Sequence, residues 1–461
     1  MDQTLIIAVA FGTIAALVWI LAMTTNPKAG ILAIALMVFM SAIGVAFNWR
    51  GNIHGSWLLG LQVQRSYVFL ALGVVLAGGM AMHLPTLRFN KLSGGALLLV
   101  LAGLYIGLMR MYHVDFIDGV QTMALAAIAI VALTVACAIC INTQEDMYAP
   151  VRMVALGLGM FLICVVVQIG LDVSRIMNDS DRFIGVGSNP QIVATFLALS
   201  LVPVVWLLVN DRVNRYRPLW WTIGGAGAIA LLATGSRTGL AMTFLGLGVV
   251  FVRRFGRLAL AVPLAGFAVY VGFSAASAVG IELPLARFLS TENTRSAAWA
   301  TLIQQFEASP LLGNGVEGAE KSENSYFYGA AAYGVGMLVL LIVFTVYSVW
   351  NVLRLYWRTR AYPSLHSVVD LIIAIHVMYF AGAFFEGYMI SRVSAPLVII
   401  VVAVSMASAI LFQLSRQAEG ELYFADAIER DDDDASPDDD PHGYDDAWDD
   451  IHDDAYAQAY Q

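Results

Sequence analysis

R-F-L-S-T-E-N-T-R-S-A-A-W-A-T-L-I-Q-Q-F-E-A-S-P-L-L-G-N-G-V-E-G-A-E-K-S-E-N-S-Y-F-Y-G-A-A-A-Y-G-V-G, residues 287–336, is the longest polar interruption in a chain that is otherwise mostly lipid-soluble. Within it, Trp299, Leu302, Ile303 and Phe306 recur at helical spacing and predict a short helix with one apolar face. Asn293 and Thr294 are candidate N-caps, and Pro310 marks the end. Between two membrane spans, such a helix is expected on the bilayer surface. A turn follows at Pro310–Gly315, then a polar patch ending in Glu323 and Asn324. The next apolar run begins within a few residues.

Outward from this stretch the chain is 59% hydrophobic and 13% charged, far from a soluble average. Its mean hydropathy is +0.74. These values predict an all-α polytopic membrane protein. At roughly 20 residues per span, about 12–13 transmembrane helices fit. Their expected positions are 5–23, 31–47, 63–82, 94–109, 120–141, 151–171, 191–209, 219–234, 238–251, 258–278, 326–350, 368–385 and 393–414. Residues 1–414 form the expected transmembrane domain, with one large extracytoplasmic loop at 279–328 carrying short surface helices. Residues 415–461 form an acidic cytoplasmic tail. The run 5–23 lacks a basic n-region and reads as a retained span.

The net charge of −9 hides an asymmetry. From Glu419 onward there are 17 acidic residues and one Arg, which leaves 24 basic against 17 acidic in the body. The tail is low in complexity and like-charged, so it is expected to be disordered. Its spaced aromatics Tyr444, Trp448 and Tyr456 also permit a docking peptide for polysaccharide-assembly proteins. Loops containing Arg212, Arg215 and Arg217, then Arg253, Arg254 and Arg257, then Arg354, Arg358 and Arg360 fall on one side if the spans alternate. By the positive-inside rule that side is cytoplasmic. The 279–328 loop is then outside and the tail inside.

Basic residues persist on the outer side and cluster there. Arg175 and Arg182 flank the loop 172–190, and Arg237 follows Thr234-Gly235-Ser236. Arg287, Arg295 and Lys321 lie in the large loop, and Arg392 follows Glu386. From Trp220 to Phe251 is 32 residues, whereas two full spans need about 40. The turn carrying Arg237 is therefore expected below the outer surface. An Arg at that depth either faces a polar cavity or snorkels to headgroups.

This wording resembles the O-antigen ligase and O-antigen polymerase family of bacterial membrane proteins. The family pattern is an Arg, a Trp a few residues on, a Pro-x-x-Gly-x-Gly turn, then His-Asn before a helix near Gly-x-x-Gly. Here it reads Arg295, Trp299, Pro310 with Gly313 and Gly315, Glu323-Asn324, then Gly334 and Gly336. The family's usual His is Glu323 here. Arg182 with Asn189, and Ser236-Arg237 at the outer end of a span, resemble two further family segments. The resemblance covers roughly residues 180–390, and the first six spans carry no recognisable motif.

The resemblance implies a multi-pass protein of the bacterial inner membrane. It moves a glycan from an undecaprenyl-diphosphate-linked donor to a hydroxyl of a glycan, lipid or protein acceptor at the extracytoplasmic face. A lipid diphosphate leaving group needs fixed positive charge, which planar Arg forks supply bidentately. Arg237 and Arg295 are the candidates for that role, and Glu323 for the base that activates the acceptor hydroxyl. Arg182, Arg287, Trp299, Lys321, Asn324, Glu386 and Arg392 are candidate substrate-binding residues. No cofactor or metal is expected, and no nucleic acid.

Other signals have bland readings. Cys137 and Cys140 match C-x-x-C without a βαβ context, so they read as small packing residues. Gly313-Asn314-Gly315-Val316-Glu317-Gly318 is formally G-x-G-x-x-G, but it follows no strand and reads as a turn. His54, His83, His113, His366 and His376 are scattered and read as packing residues. Asp115 and Asp118 are either a solvated loop or contacts to sugar hydroxyls. A transporter or flippase for lipid-linked glycans stays open as a second class. It is disfavoured because the two halves show no internal repeat. A scaffold that has lost its catalytic base is a third.

Overall fold

In lipid a backbone must satisfy its own N–H and C=O groups, so an apolar chain of this kind folds into helices. The computed structural model describes residues 3–43, 65–178, 182–187, 189–211, 214–256, 294–319, 323–390 and 394–418. Every regular element among them is helical, apart from one isolated bridge between Met177 and Phe183. The principal helices are α1 (Gln3–Thr25), α2 (Leu32–Ala42), α3 (Arg65–Ala81), α4 (Gly94–His113), α5 (Phe116–Cys140, with a π turn at Leu125–Ile130), α6 (Tyr148–Leu171) and α7 (Pro190–Asn210). They continue as α8 (Arg217–Ala233), α9 (Arg237–Phe255), α10 (Thr294–Ala308), α11 (Ser325–Arg358), α12 (His366–Ala383) and α13 (Ala395–Ala418). The expected span at 258–278, Arg287, Lys321, Arg392, His54 and the tail 419–461 lie outside the described residues.

Eight helical stretches among the described residues are long and apolar enough to cross a membrane. They are built on α4, α5, α6, α7, α9, α11, α12 and α13. Shorter apolar runs at Thr13–Thr25, Pro27–Ala42 and Arg65–Ala81 belong to the first three helices. The chain is an all-α, multi-pass membrane protein. Twelve of the thirteen expected spans overlap described helices, eight of them long and apolar enough to cross a membrane.

Five of the helices start where a short polar side chain accepts from the free N–H groups of the first turn. Ser93 does this for α4, Asp115 for α5, Asn189 for α7, Ser236 for α9 and Asn324 for α11. Asp115 is thus a cap, and Asp118 pairs with Arg110. Close packing relies on small residues. At the α4–α5 crossing, a Cβ on Gly107 would stand 2.8 Å from the carbonyl oxygen of Gly119. Only glycine lets the two backbones approach that closely.

Successive helices run between two ends, and polar contacts tie each end together. At one end Lys28 meets Asp146 at 2.5 Å, and Arg152 grips Asp211 at 2.6 and 3.0 Å. At that same end Arg253 pairs with Asp370 at 2.9 Å, and Gln144 donates to the Ser364 carbonyl. The opposite end gathers His113, Arg182, Arg295, Asn324 and Glu386. Each described histidine of the five bonds a main-chain carbonyl: His83 that of Met23, His113 that of Leu312, His366 that of Thr359 and His376 that of Ile372. Cys137, Cys140 and Cys164 are buried free thiols.

Helix α11 is broken one-quarter of the way along. Gly334 has φ +77° and ψ −172°, which is outside helical geometry. The Pro310–Asn314 turn docks on the break. Pro310 accepts from the N–H of Val335 at 2.8 Å, and Asn314 donates its own N–H to Ala331 at 2.8 Å. A Cβ on Gly334 would lie 2.2 Å from the Leu311 carbonyl oxygen. Both the positive φ and the close approach require glycine.

Candidate functional site

The site end is assembled from four short segments. The first is the turn between α8 and α9, where Gly235 takes φ +61° and Ser236 caps α9 by accepting from the N–H of Gly239. Thr234, Ser236 and Thr238 are buried there, while the Arg237 side chain is exposed. The second is the loop before α7. Arg182 donates from Nε to the Thr234 carbonyl at 2.7 Å, and the N–H of Phe183 bonds the Ala233 carbonyl.

The third segment is α10. Its helix begins at Thr294 and ends before Pro310, as its sequence predicts, while Asn293 lies outside the described residues. Its inward face differs from the expected one. Leu302 is fully buried and Ala298 nearly so, Trp299 and Phe306 are half-buried, and Ile303 is 40% exposed. The face turns toward Ala298 because α10 packs on α11, a protein surface rather than a flat bilayer. This rotation carries Arg295 inward.

The fourth segment joins the start of α11 to the residues after α12. Asn324 accepts from the N–H groups of Tyr326 and Phe327, and its amide donates to the Phe384 carbonyl at 3.0 Å. Ser325 donates to the Glu386 carbonyl at 2.6 Å and accepts from the N–H of Met389. Trp299 Nε1 donates to the Glu323 carbonyl at 3.4 Å, and its ring meets Phe327 edge-on.

Arg295 stands at the junction. Its Nη2 donates to Thr238 Oγ1 at 2.9 Å and to Glu386 Oε1 at 3.2 Å, and its guanidinium lies 4.9 Å from the centre of the Phe385 ring. Glu386 is only 5% exposed. Burial pushes its carboxyl up to about 7; the Arg295 charge opposes this, the Glu323 charge adds to it, and Arg182 opposes it. Glu323 Oε2 is buried with no hydrogen-bond partner among the described residues.

Of the residues singled out in the sequence, Arg182, Arg295, Trp299, Glu323, Asn324 and Glu386 thus converge, with Arg237 adjacent at the start of α9. Arg287, Lys321 and Arg392 lie outside the described residues. The sequence reading missed Thr238 and Phe385, although each directly follows or precedes a residue that it had named. The arrangement combines fixed positive charge, a carboxylate that changes charge near neutral pH, and a second carboxylate with one unsatisfied oxygen. Such a set can bind an anionic group and move a proton beside it. No protein-family model matches the chain, and no curated protein matches it.

Proposed function

We propose that the chain is a membrane glycosyltransferase of the O-antigen polymerase or ligase kind. It passes a glycan from an undecaprenyl-diphosphate donor to an acceptor hydroxyl, outside the cytoplasmic membrane of a bacterium. The observation that carries this reading is the convergence of Arg295, Glu386, Glu323 and Arg182 at one end of the helices, beside Arg237. That end, which carries α10, is the one the charge rule assigns to the outside, and the same rule assigns the tail to the cytoplasm.

In this mechanism the acceptor oxygen forms a bond to the anomeric carbon while the bond from that carbon to the phosphate oxygen breaks. Undecaprenyl diphosphate leaves with the electron pair. Arg237 and Arg295 hold its phosphate oxygens, and Arg182 adds to the local positive potential. The acceptor proton goes to Glu323, whose Oε2 has no hydrogen-bond partner among the described residues. Helix α8 has 17 residues, about 26 Å at helical rise against a hydrocarbon core of about 30 Å. Arg237, four residues beyond its last residue Ala233, is then at a depth where lipid diphosphates enter.

The interrupted helix α11 is a feature that transporters share. Its break is closed by the chain's own Pro310–Asn314 turn, which favours the transferase. The deciding experiment is the glycan left on the lipid carrier when the protein is removed. Single repeat units on the carrier are the polymerase outcome and full-length chains the ligase outcome. An unchanged pool of carrier-linked glycan counts against both.

A further inference from the structure

We infer that Thr238 is a positioning residue that holds the Arg295 guanidinium in register with Arg237 for a diphosphate group. This rests on the proposed lipid-diphosphate donor and names a residue which that reading does not supply.

Arg295 reaches the site from α10, a separate segment whose side chain has many rotamers to lose. Two oxygens meet its Nη2 among the described residues, and they differ in kind. Glu386 is an acid whose charge would cancel that of the guanidinium. Thr238 Oγ1 is neutral, so it fixes direction without removing the positive charge that a phosphate needs. Thr238 is itself well fixed. It is β-branched and therefore stiff at χ1, it is 8% exposed, and it stands in the first turn of α9 behind the Ser236 cap. Arg237 precedes it directly, so the first turn of α9 carries both that arginine and the hydroxyl that holds Arg295.

The two holds also respond differently to pH. Glu386 faces Arg295 from α10, Glu323 from the start of α11 and Arg182 from the loop before α7. Its carboxyl, pushed up to about 7, loses its charge as the medium is acidified. The Thr238 contact does not change over that range. Thr238 therefore bears more of the positioning at pH 6 than at pH 8.

The test uses the full chain, purified into liposomes, as wild type, Thr238→Val and Thr238→Ser. Val keeps shape and removes the hydroxyl, whereas Ser keeps the hydroxyl. The donor KM in glycan transfer and the Kd for inorganic pyrophosphate are both measured at pH 6 and pH 8. Loss of a hydrogen bond to a charged group should raise both constants about tenfold in the Val variant. The effect should be larger at pH 6, with the acceptor KM unchanged and the Ser variant near wild type. Val behaving as wild type, or Val and Ser equally impaired, would overturn the inference. If the wild type transfers nothing, the transferase reading fails, and the pyrophosphate comparison still decides the role of Thr238. A wild type that binds no pyrophosphate overturns the inference together with the diphosphate reading.

Discussion

Arg295 is the residue on which the site turns, because one nitrogen of its side chain reaches both Thr238 and Glu386. Lysine keeps the charge but not the planar fork. Arg295→Lys and Arg237→Lys should each lower transfer strongly, with protein levels unchanged on immunoblots; wild-type turnover in both would exclude a diphosphate clamp. Glu323→Gln keeps shape and removes basicity, so transfer should fall about 10²–10⁴-fold, the usual cost of losing a general base. Glu323→His should restore part of it. Undiminished transfer in the Gln variant would move the base to Glu386. Glu386 also makes a stability prediction. Its folded carboxyl stands near 7 against an ordinary 4.5, so its stabilising contribution is fully present below 4.5 and is lost as pH rises through 7. Glu386→Gln does not ionise. Its Tm should therefore gain on that of the wild type between pH 5 and pH 8, and a constant difference would contradict the assigned shift. The basic residues were legible as a set, because the charge rule, applied to the expected spans, disfavours them there. The Arg295–Thr238–Glu386 contact was not, because it joins positions 57 and 91 residues apart in sequence.

Helix α11 and the turn that fills its break form the element on which the site is mounted. The Pro-x-x-Gly-x-Gly spelling and the Gly334/Gly336 pair were visible in the sequence, but their mutual docking was not. Hydropathy is blind to a backbone break whose polar groups are satisfied by a segment 17 to 25 residues upstream. Likewise, helical spacing fixed the length of α10 but not its rotation, because Ala298 carries little hydrophobic weight and packs deeply only because it is small. Gly334→Ala must place a Cβ 2.2 Å from the Leu311 carbonyl oxygen at φ +77°. Strained backbone of this kind costs about 1–3 kcal/mol. Thermal unfolding in detergent should show Gly334→Ala melting several degrees below wild type. Gly225→Ala, where a Cβ meets nothing within 4 Å, should melt close to it. Equal melting of the two variants would mean that the turn does not bear on the break.

At the scale of the whole molecule, the fold was the most legible feature, since long apolar runs have few folded alternatives in lipid. Several helix starts followed hydropathy because they coincide with polar caps, Ser93, Asn189 and Asn324 among them. The orientation follows from charge alone. It predicts that a cysteine at Gly318→Cys is labelled in intact cells by an impermeant thiol reagent, and that one at Asp440→Cys is not. The three native cysteines are buried and should give little background. Labelling of the tail alone would invert the topology. The central claim is chemical, and the most direct measurement follows the donor itself. The purified chain is placed in liposomes with an undecaprenyl-diphosphate-linked glycan and an acceptor, and both the glycan and the carrier are tracked. The predicted result is a new glycosidic linkage with release of undecaprenyl diphosphate, reduced at least about 100-fold in Glu323→Gln. Intact donor that crosses the bilayer with its glycan still attached, and no new linkage, would contradict it.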